Sequence, residues 1–134
     1  MRWLGVDLGK VRIGVAVADD ATQLIRPLPQ IIAKGALSKD AGQVIEVAKS
    51  EDAEGIVLGL PLDAGEETPM SKVVRRFGEI LSESGWQVDY VDESLTSFEA
   101  DSQMFESGIK ASQRKRNLDS QAACLILERW MQNR

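Results

Sequence analysis

The chain of 134 residues contains a single cysteine and no histidine. One cysteine excludes an intrachain disulfide and every zinc site built from paired cysteines. Without an imidazole there is no Ser-His or Cys-His catalytic pair and no histidine-ligated metal. Any metal in this protein must therefore be held by oxygen ligands, a donor set that favours Mg²⁺ or Mn²⁺.

Long apolar segments are missing as well. No apolar run approaches the roughly 20 residues of a membrane-spanning helix. The N-terminus lacks the basic, apolar and small-residue succession of a signal peptide. The sequence therefore predicts a cytoplasmic protein with no membrane partner. Cys124, flanked by Ala123 and Leu125, is expected to be a small core residue rather than a nucleophile.

Acidic residues outnumber basic ones, giving a net charge of −5. This balance argues against a protein that coats nucleic acid non-specifically, because such binding depends on a strongly basic surface. A local basic patch is still compatible with it. The segment 110–116 is basic and has two possible interpretations: a patch that binds nucleic acid, or an ordinary solvated loop. Its four cations are Lys110, Arg114, Lys115 and Arg116.

Hydrophobic periodicity predicts alternating strands and helices after a leading three-stranded meander. Pro27 and Pro29 favour an edge position for the third strand. This order predicts one α/β domain over residues 1–134, with a mixed sheet and helices on both faces. The strands are expected at 2–7, 11–18, 25–33, 55–60 and 86–91, and the helices at 38–51, at 70–84, after Thr96 as N-cap and after Asn117 as N-cap.

The segment from Gly5 to Ala16 carries the strongest functional signal. Asp7 closes an apolar strand and leads directly into a glycine-containing hairpin. A carboxylate at the end of a buried strand is costly to bury alone, so a metal or polar ligand is expected beside it. Gly9 is expected to take a left-handed turn that keeps the site uncluttered. The segment therefore predicts a site at Asp7.

Two further acidic positions lie at the ends of predicted elements. Glu93 follows Asp92 after the fifth strand, and Asp119 lies in the first turn of the predicted last helix, where backbone N–H groups favour its ionised form. Because neighbouring strand ends share one crevice, the three carboxylates are expected to meet there and to need a divalent cation. Such clusters hold one or two metals across a scissile phosphate. A solvated loop for Glu93 and an ordinary first-turn acid for Asp119 are the alternatives.

Two cations and one glycine complete the predicted site. Lys10 and Arg12 follow Asp7 closely enough to neutralise a substrate phosphate in the same crevice, or else form an exposed hairpin pair. Gly59 ends the fourth strand, where a glycine permits close approach of a ligand or simply marks a turn.

Four sequence blocks stand in a characteristic order, at residues 5–16, 57–61, 92–97 and 119–127. With these blocks the chain resembles the YqgF family of the ribonuclease H-like superfamily, whose members are named pre-16S rRNA nuclease or Holliday junction resolvase. The resemblance implies a ribonuclease H-like fold with a five-stranded mixed sheet. It also implies a metal-dependent nuclease site, with Asp7, Glu93 and Asp119 as catalytic residues and metal ligands.

Ser94 departs from the family pattern, which usually places arginine after the Asp-Glu pair. Serine neither reaches as far nor supplies a charge for a carboxylate or a phosphate. Lys10, Arg12 or a cation of the 110–116 segment is a candidate to compensate for it. If none does, weaker substrate binding or a role in binding alone follows.

Three functional hypotheses result. The first is a metal-dependent endonuclease on structured nucleic acid, with precursor 16S ribosomal RNA as the first substrate and a four-way DNA junction as the second. The second is an RNA-binding ribosome-maturation factor without turnover, prompted by Ser94 and the acidic charge. The third is an actin-like phosphotransferase, which needs two domains where this length supplies one. The sequence leaves three alternatives open: whether the substrate is RNA or DNA, whether the metal is Mg²⁺ or Mn²⁺, and whether the protein is a monomer or a homodimer.

Overall fold

Five strands and three helices make up the part of the chain that the computed structural model describes, residues 1–93 and 111–133 (for 111–119 the backbone alone). The predicted strands and the first two helices are present, each bound lying within about two residues of its expected place. The helix expected after Thr96 lies outside the described residues. The elements are β1 (Arg2–Leu8), β2 (Arg12–Asp19), β3 (Leu24–Ile32), α1 (Leu37–Ser50), β4 (Gly55–Leu60), α2 (Pro69–Glu83), β5 (Gln87–Asp92) and α3 (Ala111–Gln132).

The strands form one mixed sheet in the order β3-β2-β1-β4-β5. β1 and β2 pair antiparallel, as do β2 and β3, whereas β1 pairs parallel to β4 and β4 parallel to β5. The proline-containing β3 lies at an edge, as predicted. The parallel pairing brings the C-terminal ends of β1, β4 and β5 to the same side of the sheet, called here the carboxyl edge.

The two faces of the sheet differ in side-chain size. One face carries large aliphatic residues such as Leu4, Ile56 and Leu58, which pack against α1 and α2. The other face is rich in glycine and alanine, and α3 packs on it. A Cβ on Gly5 would lie 2.5 Å from Leu127 Cγ, so the helix sits against the backbone of β1. Helices on both faces are thereby confirmed.

Polar contacts fix α3 on its face of the sheet. The buried hydroxyl of Ser120 donates to the carbonyl oxygen of Leu28 on β3 at 2.7 Å. Near the other end of the helix, the indole Nε1 of Trp130 donates to Asp89 on β5 at 2.9 Å. A buried hydrogen bond that is lost leaves its partner unsatisfied, at a cost of about 1–3 kcal/mol. The two contacts therefore hold α3 at opposite sides of the sheet.

Helix α3 begins earlier than the sequence predicted. It starts at Ala111 instead of after Asn117, because residues 111–116 contain good helix formers and neither glycine nor proline. The expected basic loop is therefore helical at Arg114, Lys115 and Arg116, while Lys110 lies outside the described residues. Asp119 follows two turns of helix, so the argument that the helix N-terminus favours its ionised form is wrong.

The burial of Cys124 tests one smaller expectation. Cys124 is buried in the core beneath α3, and burial, together with the charge of Glu128, raises the pKa of its thiol to about 12. The prediction of a core residue is confirmed. Within residues 1–93 and 111–133, no helix is long and apolar enough to cross a membrane.

Candidate active site

Asp7 and Glu93 meet at the carboxyl edge, on the face covered by α3. Side chains alternate along a strand, so Asp7 shares the face of Trp3, which packs beneath α3. Glu93 extends the pairing of β5 by one residue, since its N–H donates to the carbonyl oxygen of Leu60 at 3.0 Å. The two carboxyl groups are joined by a side-chain hydrogen bond. The sheet thus brings together two of the three predicted site carboxylates.

Gly59 makes this contact possible. Strand β4 lies between β1 and β5, and Gly59 stands between the strands that carry Asp7 and Glu93. A Cβ on Gly59 would lie 2.8 Å from Glu93 Cδ and Oε2 and 2.5 Å from Ile126 Cδ1. Because there is no side chain at this position, Glu93 reaches across β4 to Asp7. The space above Gly59 is therefore filled by Glu93 and Ile126.

The carboxyl pair has unusual protonation. Burial raises the pKa of Glu93 to about 10, assisted by the negative charge of Asp7, by their hydrogen bond and by Asp92, while Arg129 opposes the shift. The two groups titrate as a pair, and at neutral pH the pair retains one proton. The proton on Glu93 lets the two adjacent carboxyl groups form a hydrogen bond and avoids two like charges in contact.

The same donor set suits a divalent cation. Two adjacent carboxyl groups that share a proton offer hard oxygen ligands and an excess of negative charge once the proton leaves. Within residues 1–93 and 120–133, where side chains are described, no group of three or more metal-binding side chains forms. The third predicted ligand, Asp119, lies on α3, which packs against β1 and β2, and its side chain is outside that part. The residues present fit Mg²⁺ or Mn²⁺.

The predicted substrate-binding cations lie at different places around the β1–β2 turn. Arg12 alternates with the core residue Ile13, so it shares the face of Asp7, and it is half-buried. Lys10 is exposed at the turn. Gly9 does not have a positive φ, so the predicted left-handed turn is wrong. Glycine is needed there because a Cβ would collide with the carbonyl oxygen of Arg12.

Arg129 is a site residue that the motifs did not indicate. Its Nη1 donates to the carbonyl oxygen of Asp92 at 2.8 Å, and its charge lowers the pKa of Glu93. The sequence signal that could have identified it is its spacing on α3. Arg129 follows Ile126 by three residues, so the two share a helix face, and Ile126 borders Gly59. Ser94, for which a compensating cation was sought, lies outside the described residues.

The family model for RuvX, described as Holliday junction resolvase, matches residues 1–133. A protein of Anaeromyxobacter dehalogenans (strain 2CP-C) named "Putative pre-16S rRNA nuclease" is 38% identical, with 100% of this chain and 98% of that protein covered. A protein of Maridesulfovibrio salexigens with the same name is 34% identical, with 98% of each covered. The predicted family membership is confirmed.

Two solved structures show the same fold. RuvC of Thermus thermophilus in complex with a Holliday junction substrate superposes with a TM-score of 0.60 at 16% identity, over 99% of this chain and 96% of that one. The fowlpox virus Holliday junction resolvase gives a TM-score of 0.59 at 14% identity, with both chains fully covered. The ribonuclease H-like architecture predicted from the sequence is confirmed.

The raised pKa of Glu93 predicts a pH dependence of stability. Its native pKa of about 10 exceeds the ordinary value of 4.5, so the native state binds more protons than the unfolded state between these values. With a chelator present, the free energy of unfolding is expected to fall as pH rises from about 5 to 9. Glu93→Gln, which still offers Asp7 a donor, should flatten this slope.

Urea denaturation at several pH values measures the effect. Glu46→Gln, on the exposed surface of α1, is the matched control and should retain the wild-type slope. Identical slopes for Glu93→Gln and the wild type would show that the buried proton is not on this pair.

Proposed function

Because the chain belongs to the RuvX (YqgF) family, described as Holliday junction resolvase, we propose that it is an endonuclease that hydrolyses phosphodiester bonds of structured nucleic acid. The hydrogen-bonded Asp7–Glu93 pair carries this proposal. Two carboxyl groups brought together at the end of a sheet offer the hard oxygen ligands that a divalent cation prefers. That arrangement suits cation-assisted chemistry at a phosphate.

Asp7, Glu93 and Asp119 are the proposed ligands of one or two Mg²⁺ or Mn²⁺ ions. When bound, such ions activate water for in-line attack and stabilise the leaving oxygen. Glu93 holds the proton of the pair, because burial and the charge of Asp7 raise its pKa. Glu93 becomes a second ionised ligand only when that proton is released, and the positive charge of Arg129 favours the release.

The cations around the site are proposed to bind the substrate backbone. Arg12 shares the face of Asp7 and presents a guanidinium suited to bidentate contact with phosphate. Lys10 supplies a point charge at the exposed turn. Arg114, Lys115 and Arg116 occupy successive positions in the first part of α3. With Lys110 they form the proposed basic segment near its start.

Precursor 16S ribosomal RNA is the proposed first substrate, because it appears in the name of the relatives with the highest identity reported above. A four-way DNA junction is the second, on the family description. The proposed setting is the cytoplasm, and the proposed unit is the single domain of residues 1–134. Cleavage of RNA is compatible with a monomer, whereas symmetrical cleavage of a junction requires a homodimer.

Replacing Asp7 by asparagine tests the nuclease proposal. Asparagine keeps the shape of the side chain but removes the charge that a cation and the Glu93 proton both need. We expect Asp7→Asn to lose cleavage by at least about 100-fold while remaining folded. The assay compares a precursor ribosomal RNA fragment with a synthetic four-way junction, each with Mg²⁺, with Mn²⁺ and with chelator.

Cleavage by the wild-type protein identifies which of the two polymers is the substrate. Metal-dependent cleavage of one polymer that is absent from Asp7→Asn supports the endonuclease. Substrate binding without cleavage by the wild type would favour the RNA-binding maturation factor, and full activity of Asp7→Asn would refute the site.

A methyl group at Gly59 tests the geometry of the pair. In Gly59→Ala the new Cβ would displace Glu93 or Ile126, at a cost of about 1–3 kcal/mol in stability. A shift of about 1 Å at a catalytic group lowers the rate by about 100-fold, so cleavage should fall by that order. Gly42→Ala is the control, because its Cβ would meet nothing within 4 Å. Wild-type cleavage by Gly59→Ala would contradict the arrangement.

A further inference from the structure

A cavity of about 210 Å³ lies beside the site, bordered by the N-terminal parts of α1 and α2. The β1–β2 turn contributes one wall, since the residues from Leu8 to Lys10 line the cavity directly after Asp7. Apart from Lys10, the residues of this α1–α2 cavity have no part in the mechanism proposed above. Its principal lining residues are Leu8, Lys10, Leu37, Asp40, Met70 and Val73.

Asp40 is the buried polar group of this cavity, with 4% of its surface exposed. Its Oδ1 accepts two hydrogen bonds, from the Lys34 N–H at 2.8 Å and from Gln43 Nε2 at 3.1 Å. Among the residues that the structure describes, no donor reaches Oδ2. Oδ2 is not among the buried side-chain atoms that lack a partner, so it retains solvent access. Because Asp40 lines the cavity, this oxygen can accept a hydrogen bond from a ligand there.

The remaining lining determines what kind of ligand fits. Val73 on α2 is 38% exposed and borders the cavity together with Met70 and Leu37. These apolar side chains suit the faces of a flat ring, and the exposed Lys10 suits a phosphate attached to that ring. The volume is below the roughly 300–1,000 Å³ of sites for drug-sized ligands. A single heterocyclic base is therefore the appropriate size.

We propose that the α1–α2 cavity binds an unpaired guanine base of the nucleic-acid substrate. A carboxylate oxygen only accepts hydrogen bonds, and guanine alone offers two adjacent donors, N1–H and the N2 amino group, on its Watson–Crick edge. Adenine and cytosine place a ring acceptor beside their amino donor, and uracil flanks its N3–H with two carbonyls. Asp40 Oδ2 therefore selects guanine.

This inference rests on the proposed function, because the base belongs to the strand whose phosphodiester lies at Asp7 and Glu93. Lys10 borders the cavity and follows Asp7 by three residues, so it is placed to bind the backbone between base and scissile phosphate. The cavity would then set where the strand is cut relative to a guanine. Specificity and catalysis are thereby assigned to opposite faces of β1.

Fluorescence anisotropy with labelled single-stranded RNA tests the assignment. The probes are an all-uridine oligomer and the same oligomer with one central guanosine, adenosine or cytidine, measured in chelator so that nothing is cleaved. We expect the guanosine probe to bind about fivefold tighter or more, the discrimination typical of one specific base contact. Asp40→Asn replaces Oδ2 by an amino donor and should abolish the preference.

Two further variants separate the site from general effects on folding. Val73→Phe fills the cavity from α2 and should abolish the preference without touching Asp40. Asp52→Asn is the matched control, since Asp52 has a φ of 56°, which asparagine readily adopts. Its guanosine preference should equal that of the wild type. If Asp40→Asn fails to fold, Val73→Phe decides.

Equal binding of the four probes by the wild type, or a guanosine preference that survives in Val73→Phe, would overturn the proposal. A different result would refute the nuclease proposal while leaving the cavity proposal standing. In that case the wild type cleaves neither precursor RNA nor junction but keeps a guanosine preference that the cavity variants lose. If the wild type cleaves its substrate but binds the four probes equally, only the proposal for the cavity is rejected.

Discussion

The contact between Asp7 and Glu93 is the constraint on which the arrangement of this protein depends. It brings two carboxyl groups from strands separated by β4 into hydrogen-bond contact, which is stable only while the pair keeps a proton or gains a cation. Gly59 has to lack a side chain for that contact to form. The parallel pairing of β1, β4 and β5 has to align their ends.

The difference between the two faces of the sheet follows from the same requirement. Large aliphatic side chains against α1 and α2 form the larger of the two hydrophobic clusters, and their burial stabilises the fold. Glycine and alanine on the opposite face let α3 lie against the backbone of β1. Close packing brings Arg129 to the carbonyl oxygen of Asp92 and leaves Glu93 half-buried. Stability and site chemistry are thus placed on opposite sides of one sheet.

The sequence predicted the sheet and the convergence of Asp7 with Glu93, because apolar strands and their terminal acids are local signals. It failed at the start of α3, where the capping signal of Asn117 was outweighed by good helix formers at 111–116. It gave Gly59 a role toward ligands and missed its relation to Glu93, since a contact across β4 depends on strand order. Arg129 and the open oxygen of Asp40 were missed for the same reason, as both depend on tertiary packing.

Anomalous diffraction from a crystal soaked in Mn²⁺ tests directly whether Asp7 and Glu93 bind a divalent cation. We expect a manganese peak about 2.0–2.6 Å from a carboxylate oxygen of Asp7 and one of Glu93, the range of bonds between hard cations and oxygen. The hydrogen bond between the two groups should be lost in the same crystal. An intact Asp7–Glu93 hydrogen bond, with no peak at the pair or with manganese bound only elsewhere, would contradict it.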